Sequence, residues 1–235
     1  MKRVLLIAAG ILCSVASPAA ADIRQLNALQ VVGGDAEPEG PIPWVQAAFD
    51  DKGDYGVVTL TFSPSNLVGS EHVTDLYLNL DPAFDPTKLA FFPIAKHGAF
   101  ESPTISLGNN AFQADEGGRY DLHFSFASAG GSDAFFGVGD SFDLRIGSLI
   151  ALPIVASSFD VPSTSEGADP FYLAARIAGI GTNNGAAWVV AAPEPTTSSL
   201  ALIGVFALLL AVRGKGPISF VGNFSGSRYD AERMP

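Results

Sequence analysis

Three histidines, His72, His97 and His123, are the side chains of this chain best suited to proton transfer near neutral pH or to metal ligation. None falls in H-x-H, H-E-x-x-H or another metal-binding spacing. His123 stands in "YDLHFSFA" between Asp121 and Ser125, so a Ser/His/Asp grouping can be drawn there. The chain lacks the G-x-S-x-G elbow that exposes a nucleophilic serine. With so many serines and aspartates such a trio arises by chance, and His123 reads as a solvated strand histidine.

Carboxylates come next. "DPAFDP" offers Asp81 and Asp85, and "ADEGGRYD" offers Asp115, Glu116 and Asp121. Hard cations need several oxygens converging from one loop. Gly117 and Arg119 fall where a D-x-[DN]-x-[DN]-G loop would carry carboxylates, so both stretches read as turn chemistry and no metal ligand is assigned. "FFGVGDSF" lacks the third glycine of G-x-G-x-x-G, and "AGIGTNNG" lacks the lysine of a phosphate loop. No cofactor is expected. Trp44 and Trp188 could stack on sugar rings, but each stands in an apolar strand pattern that favours core packing. These residues assign no catalytic group.

The elements that must position these residues are strands. In "GVVTLTFSP", Val58, Leu60 and Phe62 share a face opposite Thr59 and Thr61. "VTDLYLNLDP", "YDLHFSFA" and "FDLRIG" alternate likewise, the pattern of a sheet with one face in a core and one in water. Some eight to ten such segments are expected, including "PWVQAAFDD", "KLAFFPI", "SPTISLG", "ALPIVASSF" and "GAAWVVA". "DPFYLAARIAGIG" fits two helical turns or a strand, and the strand is preferred. Turn signals such as "DDKGD", "LGNN", "DEGG", "SAGGSD" and "GTNNG" separate these segments. The expected fold is all-β, an antiparallel β-sandwich of jelly-roll type.

Residues 22–192 hold 7 Lys/Arg against 21 Asp/Glu, a formal charge of −14. Nucleic-acid affinity rests on cationic contacts to phosphate, so no nucleic-acid partner is expected. Lys2 and Arg3 precede an apolar stretch, and Ala19-Ala20-Ala21 supplies the small residues of a cleavage site. Residues 1–21 therefore read as a secretory signal peptide, with Ala19 and Ala21 at the cleavage positions. Cys13, the one cysteine, leaves with it, so the mature chain is expected to need no disulfide.

At the other end, residues 196–212 carry no charge over 17 positions, about 26 Å as a helix at ~1.5 Å per residue. Residues 200–212 are almost purely aliphatic and are expected to form a short transmembrane helix. Arg213 and Lys215 follow as a basic membrane flank, where positive charge marks the cytoplasmic side. Pro193, Glu194 and Pro195 precede the helix, and the two prolines hold the tripeptide extended.

This order closely resembles the PEP-CTERM sorting domain of Gram-negative bacteria: Pro193-Glu194-Pro195 as the tripeptide, residues 200–212 as the helix, and Arg213 with Lys215 as the basic end. The resemblance covers residues 193–216, and residues 217–235 follow as a tail. "PWVQAAFDD", "GVVTLTFSP", "SEHVTDLYLNLDP", "YDLHFSF" and the late "ARIAGIG…GAAWVVA" are also similar to the ectodomains of that group. What the resemblance implies is export through signal peptidase and the Sec machinery, transient anchoring in the inner membrane, and cleavage by an exosortase-type membrane peptidase. Release to the cell surface or an exopolysaccharide matrix would follow. The expected protein is non-enzymatic, with a structural or adhesive role. A carbohydrate-binding module on the same fold is the alternative, and a secreted hydrolase would need a concave carboxylate cluster that the sequence does not advertise.

Signal peptidase is expected to cut after Ala21, because small residues there fit its pocket and Asp22 begins the polar chain. N-terminal sequencing of the exported protein should read Asp-Ile-Arg; a start elsewhere, or retention of Met1, would contradict this.

Overall fold

The computed structural model describes residues 22–192 apart from Gly53, Tyr55, Ala151 and 165–168. The expected signal segment with Ala19 and Ala21, and the sorting segment with Pro193, Glu194, Pro195, Arg213 and Lys215, lie outside the described residues. Within them the fold is all-β and sandwich-like, built from two antiparallel sheets. Among the described residues no helix is long and apolar enough to cross a membrane.

One sheet has five strands in the order β1 (Ile23–Ala28), β3 (Val45–Asp50), β4 (Val57–Ser63), β10 (Ser141–Ser148) and β6 (Leu89–His97). The other runs β2 (Gln30–Gly34), β12 (Gly185–Ala191), β11 (Leu173–Ile180), β5 (His72–Leu78), β8 (Arg119–Ser125) and β7 (Thr104–Gln113). A two-residue strand, β9 (Phe136–Gly137), adds to this second sheet beside β5. β1 and β2 are a single extended run that changes sheets at Leu29, whose N–H donates to the Val190 carbonyl. The ambiguous "DPFYLAARIAGIG" is the strand β11.

Alternation builds the core. Val58, Leu60 and Phe62 of β4 and Phe142, Leu144 and Ile146 of β10 are fully or almost fully buried. Leu76 and Leu78 of β5 and Leu122 and Phe124 of β8 face them from the other sheet. Phe62 meets Phe124 edge to face at 4.8 Å, and Phe49 stacks on Phe159 at 4.5 Å. Each fully buried side chain of this size contributes about 1.5–3 kcal/mol by leaving water. No cysteine lies among the described residues, so this packing stands without a disulfide.

Three sequence expectations are corrected. "ALPIVASSF" is not a strand: Ile154, Ala156 and Phe159 are buried, but the chain forms a 3-10 turn at Ala156–Phe159. The Ser158 hydroxyl accepts from the Val155 N–H there, supplying locally what a sheet ladder would supply. "LGNN" does not end its strand. β7 runs through it with a register shift between Leu107 and Phe112, Asn110 takes φ 45°, and the Asp121 carboxylate accepts its N–H at 2.7 Å. The outer face of the second sheet is not simply solvated either. Tyr77, Tyr120, Phe171, Ala174 and Val190 bury themselves there as a separate small cluster.

Gly179 on β11 has φ 76°, and an added Cβ would run into the Ser70 carbonyl oxygen. Gly179→Ala is therefore expected to destabilise the protein by about 2–4 kcal/mol. Urea unfolding monitored by fluorescence checks this, and an unchanged midpoint would contradict it.

Candidate functional site

His72 begins β5 and lines a cleft of about 410 Å³ together with Phe100, Asp133, Phe135, Asp140 and Asn184. Its ring lies flat on Phe135, 4.2 Å between centres and 9° apart. Nδ1 sits 2.9 Å from the Ser70 carbonyl and so carries the proton, donating to that oxygen. Ser70 in turn donates its hydroxyl to the Gly179 carbonyl. Glu71, buried beside it, accepts the N–H groups of Glu39 and Val68, one on each oxygen. Asp140 accepts the Gly137 N–H at 2.8 Å. These polar groups hold the cleft's own loops in place.

The second arrangement lies on the outer face of the seven-stranded sheet. Register sets Tyr77 opposite His123 and Asp75 opposite Ser125. The Tyr77 and His123 rings stack at 4.4 Å, nearly parallel, and His123 Nε2 donates to Asp75 Oδ1 at 2.8 Å. Phe112 flanks the histidine at 5.6 Å, and Trp188 flanks Tyr77 at 5.7 Å. Arg176 of β11 stands opposite Asp75 on one side and Trp188 on the other.

Burial pushes the Asp75 carboxyl up, but the His123 and Thr74 hydrogen bonds and the electrostatic pull of His123 and Arg176 more than offset it. Its pKa ends below the ordinary value. Burial, aided by the Asp75 charge, pushes the Tyr77 phenol up to about 12. Tyr77 is therefore a neutral ring at physiological pH, and Asp75 a carboxylate.

The sequence-level Ser/His/Asp grouping does not form. Asp121 is buried and accepts the N–H groups of Leu80 and Asn110, so it ties the segment after β5 and the irregular stretch of β7 to β8. His123, expected in solvent, keeps only 20% of its side chain exposed and takes Asp75 as its partner. His97 is exposed at the end of β6. Asp81 and Asp85 bond the N–H groups two residues on, at Ala83 and Thr87, which is turn chemistry as read from the sequence. Asp115 is exposed in the turn between β7 and β8, and the Glu116 side chain lies outside the described residues. Trp44 is buried in the core with its indole N–H on the Gly40 carbonyl, whereas Trp188 is only partly buried, on the outer face. Among the described residues no three His, Cys, Asp or Glu side chains come together as a metal site.

Asp75 and Arg176 were missed as site residues. Both stood in recognisable strands, but only the pairing of β5 with β8 and β11 makes them neighbours. No family model matches the chain, and no curated protein or solved structure matches it either.

Asp75→Asn should cost about 1.5–3 kcal/mol at pH 7, the range for a hydrogen bond to a charged group. The native carboxyl titrates below its ordinary 3.8, so its stabilisation is complete above that pH and fades as pH falls through the lowered native value. Thermal unfolding from pH 7 down to 2.5 should show wild type and variant converging at the acid end. A constant difference across that range would contradict the assignment.

Proposed function

We propose that this protein is an exported, exosortase-sorted surface or extracellular-matrix protein with a non-enzymatic, structural or adhesive role alongside exopolysaccharide. The observation that carries this reading is the order of residues 193–216: Pro193-Glu194-Pro195, the aliphatic run 200–212, then Arg213 and Lys215, in a chain that opens with a signal-type segment. In this reading the two sheets follow a jelly-roll-like path, and residues 200–212 form the single membrane helix.

The three parts of the signal act in sequence. The helix stalls the chain in the membrane, because returning its aliphatic side chains to water costs about 25 cal/mol per Å² of apolar surface. Arg213 and Lys215 hold its orientation. The prolines keep the backbone at Glu194 extended, the form in which a peptidase reaches a peptide bond. A second reading, a carbohydrate-binding module, is favoured by one observation: Trp188 lies on an outer sheet face instead of in the core.

Glu194→Ala combined with Pro195→Ala should leave full-length protein anchored, while unaltered protein loses residues 200–212 and is released. Mass spectrometry and membrane fractionation in a host carrying an exosortase separate the two. If unaltered protein keeps that segment and both forms stay equally membrane-bound, the segment is an ordinary anchor.

A further inference from the structure

We infer that the outer face of the seven-stranded sheet binds a neutral polysaccharide, with Trp188 as the stacking surface and Ser125, Asp75 and Arg176 holding sugar hydroxyls. The inference rests on the matrix reading above and gives it a ligand class and a site.

The register lines these residues up. Thr104 stands opposite Ser125, Ser125 opposite Asp75, Asp75 opposite Arg176 and Arg176 opposite Trp188. One row therefore crosses five strands, a span of roughly 19 Å at ~4.8 Å per gap. Thr104 is exposed and the other four are half-buried, so every member of the row meets solvent. The neighbouring core positions, Leu76, Phe124, Ile177 and Val189, point to the interior. Beside the row, Tyr120, Phe171 and Val190 are buried, and the turn Asp115–Gly117 packs against β2 and β12.

The chemistry of the row matches a pyranose chain. A sugar ring has an apolar C–H face and an edge of hydroxyls that both donate and accept. Trp188 supplies a flat apolar surface. Asp75 only accepts, Arg176 only donates, and the Ser125 and Thr104 hydroxyls do both, so adjacent hydroxyls of one ring find complementary partners. Asp75 is already fixed by His123, whose ring is clamped on Tyr77, which lowers the entropy cost of binding.

Charge selects among glycans. Arg176 and Asp75 cancel, so the row is neutral, whereas the 22–192 domain carries a formal charge of −14. An acidic polysaccharide would meet repulsion from the domain without a cationic patch to offset it. A neutral chain meets none.

The test uses the full chain, purified in detergent, in affinity electrophoresis through gels containing a neutral β-glucan, a galactomannan or an arabinoxylan, with alginate as the anionic counterpart. Wild type should be retarded by at least one neutral polymer and not by alginate. Trp188→Ala should weaken that retention at least about tenfold, the loss of a hot-spot aromatic. Arg176→Gln should weaken it as well, and His97→Ala, on the other sheet, should leave it unchanged. Circular dichroism confirms folding; if Trp188→Ala is unfolded, Arg176→Gln carries the comparison. Absence of retardation in all three neutral gels, retention unaffected by Trp188→Ala and Arg176→Gln, or preference for alginate would overturn the proposal. A Trp188-dependent dimer in place of glycan retention would also overturn it, marking the face as a self-association surface. No exosortase enters this experiment, so it and the sorting reading fail separately.

Discussion

Phe62 and Phe124 meet edge to face between the two sheets, 4.8 Å between ring centres, and the placing of both sheets follows from how such rings fill that space. Phe100, Phe126, Phe136 and Phe142 continue the contact series, with centroid distances from 4.4 to 6.4 Å. Interiors of this density tolerate neither a gap nor an added methylene without cost. Without a disulfide among the described residues, register and sheet separation depend on that fit. The short strand β9 exists because Phe136 must enter the same space, which pulls its backbone into pairing with β5.

The loops are fixed in a different way. Asp121, Glu71 and Asp140 each accept backbone N–H groups from segments outside their own strand or turn neighbours, or close a tight turn. A carboxylate that satisfies two buried N–H groups replaces a missing ladder partner and keeps the backbone from burying unpaired donors. The acidic composition thus serves two ends. Some carboxylates hold loops in place, and the exposed remainder gives the domain its negative field.

The outer face of the seven-stranded sheet carries the proposed binding row. Tyr77 and Tyr120 bury apolar ring bodies on a face that alternation assigns to solvent, and their neighbours His123 and Trp188 are drawn into the same contacts. The result is a half-buried strip carrying one carboxylate, one guanidinium and an indole, held by cross-strand pairs. Rigidity of this kind suits recognition of an extended ligand.

By itself the sequence determined the class of this fold. The alternation in "GVVTLTFSP", "YDLHFSFA" and "FDLRIG" names both the strands and their core faces, because side chains of a strand alternate whatever they pair with. It also determined the turn chemistry of Asp81 and Asp85, which depends on residues only two positions away. Weakly patterned segments such as β1 and β2 were not legible, nor was the break in "ALPIVASSF", since there local hydrogen bonds outweigh apolar content. Only the tertiary structure decided that His123 takes Asp75 and not Asp121, that "LGNN" is a bulge, and that Trp44 and Trp188 part company between core and surface. Each of those outcomes turns on which strands become neighbours, and strand pairing is a long-range choice made by packing, which no local spacing encodes.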